Sequence, residues 1–299
     1  MPTARRHHYI PQWYLAGFTD TGTSGGFITV HDLVAGNDFR TRTQGVGVQR
    51  DFNRVDLPGI EPDFLEGKWA QFEGDASLAV GRILNVGNLE DKEDLSYLLN
   101  LVALLGVRNP RTRALINSAQ EQVLRLMGQM AFSTSESYEG LIARARADGV
   151  DLPETVPYEQ MKDFIDRNEH EIQIPRESNI ELELGVLDDI IKLLHARNWS
   201  LFTPKNPNSH FVSCDHPVVL AWKDEEMRRP IGFGLRNTEV TFPIDKSHLL
   251  IGTFEADLEP IHSVPDELVA IVNTNTRGNT QRHVYSSCNS YLYTKPRMS

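Results

Sequence analysis

Cysteine is almost missing from this chain. Cys214 and Cys288 are the only two among 299 residues, and neither a CxxC pair nor a Cys/His spacing typical of zinc occurs. A disulfide-built secreted scaffold and a structural zinc module are therefore not expected. A single bridge between the two cysteines stays open. Long hydrophobic runs are missing as well. The best candidate, "LSYLLNLVALLGV" from Leu95 to Val107, carries Asn100 inside it. It is shorter than the roughly 18 apolar residues of a membrane helix and suits a buried helix instead. The start "MPTARRHHYIPQW" is basic but has no apolar core, so no secretory signal is read there. The expectation is a cytosolic protein without a membrane partner.

Positive charge is in deficit too. Thirty Lys and Arg face 41 Asp and Glu, a formal net charge of −11. That opposes a broad nucleic-acid surface, which needs clustered cations to meet phosphates. A local basic cleft built from Arg5, Arg6, Arg108, Arg111 and Arg113 remains compatible with it. The nucleophile elbow G-x-S-x-G, a phosphate-binding glycine loop and H-E-x-x-H are all absent. No Ser or Cys stands in a recognisable nucleophile setting, and no repeat or low-complexity tract occurs.

The composition is that of a globular chain, 40% hydrophobic and 24% charged, long enough to bury a large core. Three regions emerge, read together as a single domain over 1–299. Residues 1–60 look like strands and turns, with "GGFITVHDL" alternating after a "TGTSGG" loop. Residues 61–198 are helical in pattern. Phe64, Trp69, Phe72, Ala76, Leu78, Ala79 and Ile83 fall close to one helical stripe, and "NLEDKEDLSYLLNLVALLGV" puts acids at the amino end of a helix that is apolar all round. Ser133–Pro157 reads as a peripheral, mobile stretch, and two further helices follow. Residues 199–299 return to strands: "WSLFTP", "HFVSCDHPVVLAW", "TEVTFPID", "HLLIGTF", "LVAIVNTNTRGN" and "HVYSS". Segregated helices and strands predict an α+β fold, a helical middle packed on a mainly antiparallel sheet formed by the amino- and carboxyl-terminal strands.

Several motifs together resemble the DUF4238 family. "HHYIPQWYLAGFTD" is similar to its opening signature, "LLGVRNPRTR" to its helical arginine block, and "FEGDASLAVGRIL" to its glutamate-bearing helix. "WSLFTP", "FVSCDHPVV", "TFPIDKSHLLIG" and "VNTNTRGNTQRHVYS" resemble its later strands. The resemblance implies membership in an uncharacterised, mostly microbial group and brings no accepted activity with it.

The chemistry-bearing candidates are few. His7 and His8 are adjacent, so in an extended segment they face opposite ways. His8 is expected inward, as general base or metal ligand; the structural reading is a buried imidazole among Tyr9, Trp13, Tyr14 and Phe18. "IPQWYL" is expected to enter a short helix with Pro11 near its first turn. Asp215, at a strand end before Pro217, either projects into a cleft or closes a local turn. Glu73 lies beside the apolar stripe and needs a partner, for which Arg108 or Arg111 is expected. "PDFLEGK" imitates a nuclease signature through Pro62, Asp63, Glu66 and Lys68, but the acids lie three apart in a helical pattern rather than on successive strands. "RNPRTR" offers guanidinium groups for phosphate or, structurally, cations for a helix end.

The expected site is therefore His8, Asp215 and Glu73 as catalytic groups, with Arg108, Arg111, Gln12 and Asn273 as substrate contacts. A divalent ion, magnesium or manganese, is a possible cofactor of this set. The function read from it is a hydrolase acting on a phosphate-bearing substrate or nucleic acid. The competing reading is a non-catalytic binding protein whose motif residues are structural. Nothing in the sequence fixes the oligomeric state.

Overall fold

In the computed structural model the described residues are 6–152, 155–168, 170–224, 226–227, 229–255 and 261–294. Arg5 lies outside them. The chain divides into two compact units, Met1–Thr112 with Ile180–Ser299, and Arg113–Asn179.

The first unit opens with β1 (Arg6–His8), the short helix α1 (Gln12–Ala16), the hairpin β2 (Ile28–Asp32) and β3 (Asn37–Thr41), and then β4 (Val48–Arg50). β1 runs antiparallel to β4, pairing Arg6 with Arg50 and His8 with Val48. The Tyr9 and Ile10 amides extend this pairing by donating to the Gly47 carbonyl. Gly47 sits at φ 65°, and a Cβ there would stand 3.1 Å from Leu15 Cδ1 and 3.2 Å from Ile10 Cβ. Glycine is therefore required twice over, for its backbone and for its lack of a side chain.

Pro11 precedes the first residue of α1, as its fixed φ allows. The helix buries Tyr14 and Leu15, and Phe18 follows them into the core. Tyr14 stacks on Phe242 with centroids 5.2 Å apart. Its hydroxyl donates to the Pro243 carbonyl at 2.7 Å and lies 3.0 Å from Ser213 Oγ. The crowded aromatics are thus an anchor, each such ring contributing roughly 1.5–3 kcal/mol of burial. They tie the start of the chain to its carboxyl-terminal third.

Two helices follow, α2 (Phe64–Val86) and α3 (Lys92–Val107), packed on one another. α3 begins where the Asp91 side chain accepts from the Glu93 and Asp94 amides, an N-cap worth about 1 kcal/mol. Leu98, Leu99, Leu101, Val102, Ala103 and Leu105 are all buried, so α3 is the central helix that its apolar composition predicts. Asn109 then joins two helices. Its Nδ2 donates to the Leu105 carbonyl, while its Oδ1 accepts from the Thr112 amide in the first turn of α4 (Pro110–Ala131). Pro110 starts this helix rather than kinking one.

The second unit contains most of α4, together with α5 (Ser135–Ala147), α6 (Tyr158–Arg167) and the start of α7 (Arg176–His195). Tyr138 is its buried aromatic. It packs on Phe132 and Tyr158 and donates to the Val156 carbonyl at 2.6 Å. The stretch read as loose, Ser133–Pro157, therefore holds a helix: Thr134 caps it through the Ser137 amide.

Strands resume in the first unit with β5 (Asn198–Pro204), β6 (Ser213–Cys214), β7 (Val219–Trp222), β8 (Thr238–Pro243), β9 (Leu249–Thr253) and β10 (Ile261–Val264). Helix α8 (Asp266–Asn279) and strand β11 (His283–Ser286) complete it. One sheet has the order β3-β2-β11-β6 and is antiparallel throughout, joining amino- and carboxyl-terminal strands as expected. The other has the order β10-β5-β9-β8-β7, with only β10 parallel to its neighbour. The fold is α+β. Two details differ from expectation. "LVAIVNTNTRGN" is a helix, because Asp266 and Glu267 open it after Pro265 and its buried positions, Val269, Val272, Asn273 and Thr276, follow a helical period. "HFVSCDHPVVLAW" is two short strands, parted at Pro217. Both cysteines are free, and no helix among the described residues is long and apolar enough to cross a membrane.

Candidate functional site

α2 presents a mixed stripe to the protein. Ala76, Ala79, Val80 and Ile83 are buried in its later turns. In its earlier turns the same face carries Glu66, Trp69 and Glu73, at spacings of three and four residues. Glu66 accepts from Asn53 Nδ2 at 2.7 Å. Glu73 meets Arg108, whose Nη2 stands 3.5 Å from Oε1, and the Trp69 ring lies 5.2 Å from the same guanidinium. Burial pushes the Glu73 carboxyl up to about 7, against the pull of Arg108 and with help from the Glu66 charge.

β1 brings the histidines to this stripe. His7, not His8, is the fully buried one. It is 0% exposed, and its Nδ1 accepts from the Asn53 amide at 2.9 Å. The pleat explains the correction: His7 faces the core, while His8 shares the opposite face with Arg6 and with Arg50, the cross-strand partner of Arg6. His8 is half-buried. Its Nδ1 lies 3.5 Å from Nε2 of Gln12, the first residue of α1. Its Nε2 is buried and has no hydrogen-bond partner among the described residues. Burial lowers the His8 pKa, Glu66 opposes the shift, and Arg6 adds to it. Glu66 thus acts on both His8 and Glu73.

Asp215 stands elsewhere. It is 6% exposed and both its oxygens are occupied. Oδ1 accepts from Thr280 Oγ1 and the Gln281 amide; Oδ2 accepts from the Arg282 and His283 amides. The carboxylate closes the turn between α8 and β11. The charges that act on His8 and Glu73 are Glu66, Arg6 and Arg108, whereas Asp215 acts on Tyr9, Cys214, His216 and Tyr285. Its neighbour His216 accepts from Asn279 Nδ2 at 2.6 Å, and burial followed by the Arg111 charge lowers its pKa.

The expected substrate contacts separate in the same way. Asn273 is 0% exposed, and its side chain holds three stretches of backbone through Val212 N, His210 O and Leu292 O. No group of it is left for a ligand. Arg111 donates to the Asn279 carbonyl and Oδ1, a cation at the carboxyl end of α8. Arg108 is 3% exposed, and the cavity it lines with Leu65 and Trp69 is about 10 Å³, room for one water. Arg108 holds Glu73 rather than facing a substrate. Gln12 is exposed beside His8. The nuclease-like acids are helical: Asp63 precedes α2 and Glu66 lies in its first turn.

His8, Asp215 and Glu73 do not form a metal set. Among the described residues no three His, Cys, Asp or Glu side chains are disposed to hold a metal ion. The residues present therefore do not fit the magnesium or manganese centre expected of them.

A second array was not legible from the sequence: His31, Asp38 and Ser286 lie in hydrogen-bonding line on the four-stranded sheet. Ser286 and His31 are 255 residues apart, and no local spacing announces them. The only signal was the alternation of "FITVHD", which puts Thr29 and His31 on one face.

These features define an α+β protein whose first unit carries a half-buried acid–base stripe beside a paired-arginine strand. The chain belongs to the family described as protein of unknown function, DUF4238, which matches residues 6–293. No curated protein and no solved structure matches it.

Proposed function

We propose that the protein is a hydrolase of phosphate-bearing substrates, nucleic acids among them, working at His8 and Glu73. The observation that carries this reading is that one carboxylate, Glu66, acts both on an imidazole with an unpartnered buried Nε2, His8, and on Glu73, two helical turns further along α2. Environments that push a base down and an acid up separate the two roles. His8 in its neutral form accepts a proton from the attacking water, while Glu73, about half protonated at neutrality, gives one in its protonated form to the leaving oxygen. Gln12 contacts Nδ1; with its carboxamide oxygen turned to the Nδ1 proton, Nε2 is bare and basic. Arg108 positions Glu73. Arg6 and Arg50 replace Arg108 and Arg111 as phosphate contacts, because they are exposed, directly opposed across β1 and β4, and on the face of His8. Like charges so placed repel, and the Asp51 carboxylate, 3.3 Å from Arg50 Nε, offsets part of that repulsion. No step is routed through a metal.

A specific observation favours the non-catalytic reading as the alternative. Asp215, Asn273 and Arg111 are all engaged with the fold. A phosphodiester and a phosphomonoester carrying a nitrophenyl leaving group separate the two readings, each assayed with magnesium, manganese or chelator. Turnover is expected in the wild type and falls about 100-fold in His8→Gln and Glu73→Gln, while Arg6→Ser raises KM. The absence of turnover, or equal rates in folded variants, favours the binding protein.

A further inference from the structure

His31 on β2 pairs directly with Asp38 on β3, and Ser286 on β11 pairs with Thr29, two residues from His31 on the same face. Asp38 Oδ1 lies 2.9 Å from His31 Nδ1, and His31 Nε2 lies 2.9 Å from Ser286 Oγ. His31 is 7% exposed and Ser286 2%, whereas Asp38 reaches solvent. The Tyr291 ring stands edge-on to His31 at 5.0 Å and fixes the imidazole plane.

Two cavities flank this line. One, about 310 Å³, is bounded by Ser286, Ser287, Asn208 and His210; the other, about 360 Å³, by His31, Asp38, Asn289 and Tyr293. Each is large enough for a small ligand. Asp38 keeps the proton on His31 Nδ1, so Nε2 is an acceptor. Ser286 has one hydroxyl proton and two acceptors for it, that nitrogen and the Cys288 carbonyl at 2.5 Å.

We propose that Ser286, His31 and Asp38 form a second catalytic centre, a serine esterase for short acyl esters of polar alcohols. It is independent of the reading of His8 and Glu73. Ser286 Oγ attacks the ester carbonyl and its proton passes to His31 Nε2. The carbon–oxygen bond to the alcohol breaks, and the alcohol leaves with that proton. Water, deprotonated by His31, then hydrolyses the acyl-serine to free acid and serine. The Ser287 amide, next along the chain, is the donor for the developing oxyanion. The substrate class follows from the cavity beside Ser286: about 310 Å³ suits a short acyl ester, and its wall sets Asn206, Asn208 and Ser287 for a polar alcohol beside Val212 and Leu292 for the acyl group.

The test uses the full chain and a fluorophosphonate probe, which transfers its phosphonyl group to an activated serine with loss of fluoride. Peptide mapping is expected to find one adduct, on Ser286, absent in Ser286→Ala and present in the neighbouring control Ser287→Ala. Labelling slows about 100-fold in His31→Gln. It slows less in Asp38→Asn, with the pH profile displaced, because Asp38 acts through His31. Nitrophenyl acetate is cleaved faster than the octanoate. Two results overturn the proposal: a wild-type protein that takes no adduct, which depends on no variant folding, or an adduct that persists in Ser286→Ala.

Discussion

Asp215 is a buried carboxylate and Glu73 a half-buried one, and their surroundings differ. Asp215 accepts four hydrogen bonds, three of them from consecutive backbone amides. Among the described residues Glu73 has one ion-pair partner, the Arg108 guanidinium at 3.5 Å. A carboxylate met by a full set of donors has its charge stabilised and no lone pair to offer. One that is desolvated and thinly partnered holds its proton and gains a use for it. His7 and His8 repeat the contrast on one strand, His7 bound to the Asn53 amide and His8 with a ring nitrogen still open.

Removing the acceptor should break the comparison at its structural end. Asp215→Ala leaves three backbone amides without this acceptor, while Thr280 Oγ1 keeps the His283 carbonyl, and at 1–3 kcal/mol for each orphaned group the loss should be about 3 kcal/mol or more. Thermal or urea unfolding reads it directly. A melting temperature within a degree or two of the wild type would mean that the turn does not depend on Asp215.

Glu73 should behave in the opposite sense. Its folded-state pKa is raised from 4.5 to about 7, so between those values the folded protein holds a proton that the unfolded chain has lost. Stability therefore falls as pH rises across this window and is level above it. Glu73→Gln removes that fall. Relative to the wild type, the variant should gain stability from pH 4.5 to 7, by at most about 3 kcal/mol. A difference curve that is flat across the window would place Glu73 in an ordinary environment.

The smallest effect is expected at Gln12. Its contact with His8 is long, 3.5 Å, so Gln12→Ala should slow turnover only a few-fold while leaving KM and the melting temperature nearly unchanged. A loss as large as that of His8→Gln would make Gln12 a principal group instead of an orienting one.

Much of this architecture was legible in residue pattern. Leu95–Val107 is apolar on every side and is the buried central helix, and "IPQWYL" enters a helix behind Pro11. The ion pair of Glu73 with Arg108 followed from the cost of an unpartnered buried charge. What was not legible depended on competition between local and tertiary forces. Val269, Ile271 and Val272 have strand propensity, but a proline and two acids start a helix there and its apolar face finds a core. His7 and His8 were known to face opposite ways, yet which one faced inward depended on where β4 lay. Asp215 could not be sorted from Glu73 because its donors are backbone amides 66 to 68 residues away, which carry no side-chain signature.

The most direct measurement is an NMR titration of the Glu73 side-chain carboxyl in the folded protein, assigned by its disappearance in Glu73→Gln. The account predicts a midpoint near 7 that drops when Glu66→Gln removes the neighbouring charge. A midpoint near 4.5, indifferent to Glu66, would contradict it.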